Sequence, residues 1–525
     1  MVDWLENSVF YNIYPQSFYD SNDDGIGDLQ GITQKLEYIN DMGFNALWLN
    51  PFYESPFRDA GYDVADFYKV APRYGSNHDF ELLCEKAHNL GIKVCIDLVA
   101  GHTALECEWF KKSCEPEKNE YTNRYIWTDN WGKNYKGECI GGYARRDGMY
   151  MKNFFYCQPA LNYGFANIDQ PEWQLPPEHP DCVATKEELK NIMRYWIGLG
   201  ADGFRVDMAP SLIKNDYDGT GIAKFWNEIR QMFDKEFPQC VLISEWSDPA
   251  AAINAGFHID FLIHINYKAY SSLFRYEKGT NNCDDMSLGH SFFRKEGNGN
   301  IQNFLEEYLY HLHATKNKGY ISIPTGNHDL PRISLLRDRK ELETAYAFIM
   351  NLPGIPFVYY GDEIGMKYFP DLPSKEGGFN RTGSRTPMQW NSGVNAGFSK
   401  ADAKDLYLPV DEGGPNAEDQ MKDPHSLLNR MKELISLRKS SKALSADGEI
   451  EFLNLKYGGY PLVFKRFNQT EEFIICINPT DRTDRFEYDF SNFTPVLQND
   501  DGIKLEKNSV ELPAVSYVIL KKTTV

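Results

Sequence analysis

The chain has 525 residues, of which 42% are hydrophobic and 25% charged; at roughly 150 residues per domain this predicts about three to four domains or subdomains of ordinary globular composition. With 55 Lys and Arg against 75 Asp and Glu the net charge is −20, and no basic stripe occurs, which disfavours a nucleic-acid surface. No window reaches 18 apolar residues, and Asp3 and Glu6 stand where a signal peptide needs basic charge, so neither membrane insertion nor export is expected. The ten cysteines lack CxxC spacing and several sit in apolar runs; this points to a reducing cytosol with no structural zinc.

Short β-branched or aromatic runs alternate with amphipathic segments over the first 360 residues. The runs are Val9–Tyr14, Ala46–Leu49, Lys93–Val99, Gly203–Met208, Val241–Glu245, Phe257–Ile265, Tyr320–Pro324 and Ile355–Tyr360, and each has strand length. After the first run, Asp20, Asn22, Asp24 and Asp28 present side-chain oxygens around Gly25 and Gly27. A hard cation such as calcium takes such donors, although Gly31 stands where an EF-hand needs its bidentate Glu. Ile32, Leu36, Ile39 and Met42 predict a helix ending at Gly43, and Phe80, Leu83, Ala87 and Leu90 another ending at Gly91. Thr185 and Glu188 predict a capping box opening a helix through Trp196 to Gly200. Eight parallel strands with intervening helices predict an α/β fold of the (β/α)8 TIM-barrel kind.

Insertions show as broken periodicity. Residues 103–170 are rich in Asn, Gly, Tyr and Lys and predict a small subdomain on the active face; 366–410 form a second long loop, ending in a stretch from Arg381 to Trp390. After a helix through Leu427, Met431, Leu434 and Leu437, residues 446–525 alternate in strand fashion, with turns at 457–460 and 500–502. The expected organisation is a barrel of 1–102 and 171–445, an inserted subdomain at 103–170, and a C-terminal all-β sandwich at 446–525.

Catalytic groups of such barrels stand at the C-terminal ends of the strands. Strand three leads to His102, strand four ends in Arg205-Val-Asp207, strand five in Glu245, and strand seven is followed by His328-Asp329. Any one of these could be a salt-bridged strand end. Together they bring three carboxylates, an Arg and two His to one rim, where unpaired charge is costly to bury. Three acids around a polar substrate suit glycoside hydrolysis by the retaining route: one carboxylate attacks the anomeric carbon and a second, kept protonated, donates to the leaving oxygen. A zinc site is a weaker reading, since no HExxH or HxxE pairing occurs and the two His lie on different strands.

Four short motifs in this order resemble the α-amylase family, glycoside hydrolase family 13, over nearly the whole chain. The resemblance implies that Asp207 is the nucleophile, Glu245 the general acid/base and Asp329 the third acid, with His102, Arg205 and His328 at the remaining active-site positions. It implies a stacking Tyr62 and an Asp63 at the terminal sugar, with Arg385 or else Arg381 as the salt-bridge partner that closes the non-reducing end. It also implies a single Ca²⁺ or Mg²⁺ on the loop of Asp20, Asn22, Asp24 and Asp28, with the Ile26 carbonyl among its ligands, and no cofactor for catalysis. Gly101 stands where many α-amylases carry a calcium-binding Asn, and Met208-Ala209-Pro210 replaces their Lys-His. The segments Gln158–Asn162 and Ser384–Trp390 resemble instead the oligo-1,6-glucosidase group. The expected protein is a cytosolic exo-α-glucosidase of short oligosaccharides, a monomer or weak homo-oligomer, with α-1,6 links favoured over α-1,4 because apolar Met208 follows the nucleophile. The alternatives are a glucosyl-transferring or isomerising relative, an α-amylase, or an inactive sugar-binding protein.

Overall fold

The computed structural model describes residues 2–129, 138–263, 268–280, 289–376, 380–456 and 458–523. Eight parallel strands form one sheet: β1 (Phe10–Ile13), β2 (Ala46–Leu49), β3 (Lys93–Leu98), β4 (Gly203–Val206), β5 (Val241–Ser244), β6 (Ile259–Phe261), β7 (Tyr320–Ser322) and β8 (Phe357–Tyr359). Neighbours pair in sequence order from β1 to β7, and β8 returns to β1 with Phe10 opposite Phe357. The gap between β7 and β8 is bridged by main-chain bonds, Ile355 N–H to the Ile321 carbonyl and Thr325 N–H to the Phe357 carbonyl, both 3.0 Å. The sheet is therefore a (β/α)8 barrel. Nearly every strand residue is buried, as a sheet covered on both faces requires. Rings of Phe10, Phe357, Phe261 and Trp48 pack in succession at centroid distances of 4.2, 4.8 and 5.5 Å, the first pair stacked, the second edge-to-face and the third tilted, and fill the barrel beneath its C-terminal rim.

Three sequence expectations are revised. The helix that ends near Gly200 begins at Pro180, not at a Thr185 capping box: Pro180 at the first position has its φ preset for a helix and His179 Nδ1 caps the Asp181 N–H. Thr185 lies inside it, bonding the Asp181 carbonyl, and Glu188 accepts from Tyr68 Oη at 2.9 Å. The helix expected over Ile32–Met42 is two, Leu29–Gln34 and Leu36–Asp41, broken at Lys35. The run Phe257–Ile265 contains only a three-residue strand, and residues 264–267 lie outside those described.

The inserted segment holds a short helix, Glu108–Ser113, and an antiparallel sheet of Trp127–Thr128, Met149–Met151 and Cys139–Gly141. The C-terminal part carries a five-stranded antiparallel sheet whose two faces divide by alternation. Phe464, Ile475, Ile477, Tyr517 and Ile519 join the barrel core; Val463, Ile474, Cys476, Val518 and Leu520 pack on Val510 and Leu512 of a three-stranded sheet. It is thus an all-β sandwich. Of the expected turns, 457 lies outside the described residues, while Gly458 and Gly459 both take positive φ, 80° and 74°.

Candidate active site

Arg205 is the organising cation. It points from β4 across the rim, is 1% exposed, and lies 5.0 Å over the Trp48 ring. Its Nη1 bonds Asp97 Oδ1 at 2.7 Å and Asp207 Oδ1 at 3.1 Å, and its Nη2 bonds Glu245 Oε1 at 3.0 Å. One guanidinium thus faces three carboxylates. Asp97 is the innermost, taking further bonds from Trp48 Nε1 (2.9 Å) and Tyr62 Oη (3.0 Å). Burial pushes its carboxyl up to about 6 against the pull of Arg205. Asp207 is held well above the usual carboxylate range, first by burial and then by the charge of Glu245, with which it shares a hydrogen bond. A cluster with one positive and three potential negative charges holds a proton more tightly than a free carboxyl does, and with that proton on Glu245, Asp207 is ionised beside Arg205.

The backbone places Glu245 with equal care. Its N–H bonds the Val206 carbonyl (3.0 Å), and its carbonyl accepts from Ala209 N–H (3.2 Å). Its Oε2 accepts from the Met208 N–H at 2.9 Å. That last bond depends on a left-handed Met208, φ 45°, an uncommon conformation for a side-chain-bearing residue and a form of strain found at functional sites.

His328 and Tyr62 form the wall. Their rings stack at 5.1 Å with 9° between planes, and Tyr14 stacks on the far side of His328 at 6.0 Å. Asn50 Nδ2 donates both to Tyr62 Oη and to His328 Nδ1, at 3.0 and 3.1 Å. The imidazole proton therefore sits on Nε2, 3.2 Å from Asp329 Oδ2. Burial pulls His328 down to about 3 and His102 to about 4, so both are neutral. His102 is satisfied on both nitrogens: Nε2 faces the Tyr62 carbonyl (3.0 Å) and Nδ1 accepts from Asn153 Nδ2 (3.0 Å). Asn153 was not found from the sequence. Its Oδ1 accepts from Lys214 Nζ (3.1 Å), and its Nδ2 lies 3.8 Å from Met208 Sδ. Burial brings Lys214 down to about 8. A Cβ at position 101 would lie 2.7 Å from that amide nitrogen, so Gly101 is what admits Asn153.

Asp63 is the expectation the structure redirects. It is fully buried and its oxygens accept from Ser55 Oγ, the Arg58 N–H and the Asp59 N–H at 3.0, 2.8 and 3.1 Å. It shapes the loop, and among the described residues no arginine side chain makes a salt bridge to it. Asp59, four residues earlier, faces the rim: Arg381 reaches it with Nη2 at 2.6 Å and Asp329 Oδ1 with Nη1 at 2.8 Å. Arg385 lies deeper, between Asp329 (3.1 Å) and Glu376. Burial lifts Asp59 to about 6 despite Arg381. Only the spacing Asp59-Ala-Gly-Tyr62 hints at this role, and nothing local separates Asp59 from Asp63.

The loop of Asp20, Asn22, Asp24 and Asp28 closes on its own amides. Asp20 accepts from the N–H groups of Asn22, Asp23 and Gly25, Asn22 from Asp24, and Asp24 from Ile26. Asp28 bonds Ser21 and caps Leu29–Gln34 through Gly31 N–H at 2.6 Å. Among the described residues no three His, Cys, Asp or Glu side chains converge as a metal cluster. The donor set is nevertheless all oxygen, and each of these contacts takes one lone pair of a carboxylate, or of the Asn22 amide oxygen, that has more than one.

Comparison with known proteins places these residues in context. The family model described as α-amylase, catalytic domain, matches residues 12–447. The chain is 32% identical over 485 residues to a trehalose synthase/amylase of Mycolicibacterium smegmatis, covering 84% of this chain and 77% of that protein. It is 30% identical to maltase 1 of Drosophila virilis over 541 residues, 94% and 80% of the two chains. In fold it is similar to a trehalulose synthase, with TM-score 0.82 and 22% identity over 99% of this chain and 100% of the other. A trehalose-6-phosphate hydrolase of Bacillus licheniformis gives 0.82 and 24% over the same shares.

Proposed function

Because the chain belongs to the family of the α-amylase catalytic domain, we propose that it is a retaining, exo-acting α-glucosidase of short oligosaccharides. The observation that carries this reading is the pairing of Asp207 with Glu245: both bond one guanidinium, and they bond each other. Two carboxyls that share one guanidinium, at 3.1 and 3.0 Å, lie close together, as the retaining route needs, whereas an inverting enzyme seats a water across a gap of roughly 6.5–9.5 Å. In the proposed reaction Asp207 attacks the anomeric carbon, the glycosidic C–O bond breaks, and Glu245 gives its proton to the departing oxygen. Glu245 then takes a proton from an incoming hydroxyl whose oxygen attacks the same carbon and releases Asp207. Asp329 and the Nε2–H of His328 face the sugar hydroxyls, and Tyr62 offers its ring. The bridge from Asp59 through Arg381 to Asp329 stands across one end of the rim, which supports release of single terminal sugars.

A second reading has its own support. Relatives named trehalose synthase/amylase match this chain as well as those named maltase, so a sugar hydroxyl in place of water as acceptor would make the protein a transferring or isomerising enzyme. Linkage choice rests with Met208, half-buried beside Asp207 and against Asn153; its apolar side chain favours α-1,6 acceptor geometry. One Ca²⁺ or Mg²⁺ on the Asp20–Asp28 loop, with the Ile26 carbonyl, belongs to the same reading and would be structural. No helix among the described residues is long and apolar enough to cross a membrane; the same reading puts the protein in a reducing cytoplasm on its cysteine spacing, which lacks CxxC pairs. Incubation with p-nitrophenyl α-glucoside, maltose, isomaltose and sucrose, with product identification, tests the assignment. Glucose should accumulate, and Asp207→Asn should release none. Equal release by that variant removes the nucleophile; trehalose or an isomerised disaccharide as main product selects the second reading.

A further inference from the structure

Asp260 lies in the middle of β6, wholly buried and opposite Ser244 in the pairing of β5 with β6. A carboxyl in the wall of a barrel is costly unless something uses it. Its Oδ1 accepts from Ser244 Oγ at 2.6 Å and from the Trp246 N–H at 3.1 Å. These are the residues immediately before and after Glu245. Among the described residues its buried Oδ2 has no hydrogen-bond partner, and burial pushes the carboxyl up to about 7. The group is thus kept at a cost, for the sake of one oxygen.

The backbone after Glu245 explains the need. The chain leaves β5 at Ser244 and turns sharply, with Ser247 left-handed at φ 62°. Asp248 then caps the helix Pro249–Asn254 through the Ala251 N–H at 3.1 Å. Glu245 itself is tied to β4 by its N–H and to the turn after β4 by its carbonyl, while Trp246 has left the ladder and its N–H needs an acceptor. Asp260 supplies it.

We propose that Asp260 is a positioning residue for Glu245, bracketing it through Ser244 and Trp246 so that its carboxyl meets the leaving-group oxygen. This deepens the α-glucosidase reading and rests on Glu245 being its acid. Misplacing a catalytic group by about 1 Å costs roughly 100-fold. That loss should fall on substrates that need a proton and spare those that do not.

The test compares kcat/KM on maltose or isomaltose, poor leaving groups, with kcat/KM on p-nitrophenyl α-glucoside, a good one. Asp260→Leu, close in volume and without acceptors, should lose roughly 10- to 100-fold on the disaccharide and less than about threefold on the aryl glucoside. Asp260→Asn keeps the Oδ1 acceptor and should stay within about threefold on both, and Ser244→Ala should show a smaller loss with the same substrate dependence. Equal losses on both substrates, or Asn as damaging as Leu at a native melting temperature, would falsify the proposal. Should Asp260→Leu not fold, the Ser244→Ala and Asp260→Asn pair decides by the same ratio. Glu245→Gln serves as control: absence of leaving-group dependence there overturns the role of Glu245, whereas dependence there without any in Ser244→Ala overturns that of Asp260.

Discussion

Replacing Arg381 by Gln probes the end of the pocket where a terminal sugar would sit. Arg381 gives charge-assisted bonds to Asp59 at 2.6 Å and to Asp329 at 2.8 Å, and is itself almost fully buried. Asp329 keeps Arg385 at 3.1 Å, so it loses one of two cations. Asp59 loses its only arginine bond among the described residues, and its carboxyl, already pushed to about 6 by burial, should take up a proton at neutral pH. A bond to a charged group contributes about 1.5–3 kcal/mol. If the orientation of Asp329 toward the sugar depends on one such bond, kcat/KM on a disaccharide should fall by roughly 10- to 150-fold at 1.4 kcal/mol per tenfold. Because the same change unlatches the bridge across the rim, chains of four to six glucoses should lose less than disaccharides. The assay is kcat/KM for maltose through maltohexaose, and for the isomaltose series, with wild type, Arg381→Gln and Arg381→Lys. The lysine variant carries the charge but cannot span both acids, so it should keep part of the activity and gain the tolerance for length. Uniform loss at every chain length would show that Arg381 supports Asp329 without closing the pocket.

Other outcomes follow from the same contacts. Met208→Ala should move the ratio of kcat/KM for isomaltose over maltose toward maltose by about tenfold, the lower end of what one pocket side chain contributes; an unchanged ratio places linkage choice in the inserted segment. Thorough chelation should lower the melting temperature with little change in the chemistry of the surviving enzyme, since an ion that binds only the folded state stabilises by mass action; unchanged melting together with no metal by elemental analysis removes the cation from the loop. Glu363 is buried, accepts from Tyr11 and Tyr38, and is pushed by burial from 4.5 to about 7. Between those values the folded state binds more protons than the unfolded one, so this group's contribution declines as pH rises from 4.5 to 7, by up to about 3 kcal/mol. Glu363→Gln should flatten that part of the stability profile, and a denaturation midpoint that tracks wild type at pH 5 and at pH 8 would refute it.

The residues that could be read in the sequence are those whose position follows from a strand. Asp207, Glu245 and Arg205 stand at or just past the ends of β4 and β5, and the period-two geometry of a strand puts Arg205 and Asp207 on one face before any tertiary contact is known. The barrel followed because eight apolar runs of strand length alternate with helical spacing. The capping box at Thr185 misled because a local signature competed with Pro180, whose preset backbone opens the helix a turn earlier. Asp63 misled for a different reason. It and Asp59 lie on one loop, and only the contacts of each, Asp63 with amides of its own loop and Asp59 with Arg381 more than 300 residues away, separate a shaping carboxylate from one that faces the rim. Asn153 carries no motif, and its contact with His102 exists because the inserted segment folds back over a glycine.

That division has a physical consequence for how such a site can change. Asp207 and Glu245, the proposed catalytic pair, hang from the barrel, where Arg205 and the Glu245 backbone bonds hold them in a packed environment that tolerates little adjustment. The groups proposed to face the rest of a substrate, Asp59, Arg381, Asn153, Lys214 and Met208, come from loops and are tied to one another by a few side-chain contacts. A substitution among them alters one hydrogen bond or one apolar contact, worth about 1–3 kcal/mol. That is enough to change which sugar or acceptor is preferred by tenfold or more, and too little to dislodge the acids. The same barrel chemistry can then serve proteins named for maltose, trehalose or trehalulose, and acceptor choice in this chain has to be sought where Asn153, held by Lys214, meets Met208, one residue from the proposed nucleophile Asp207.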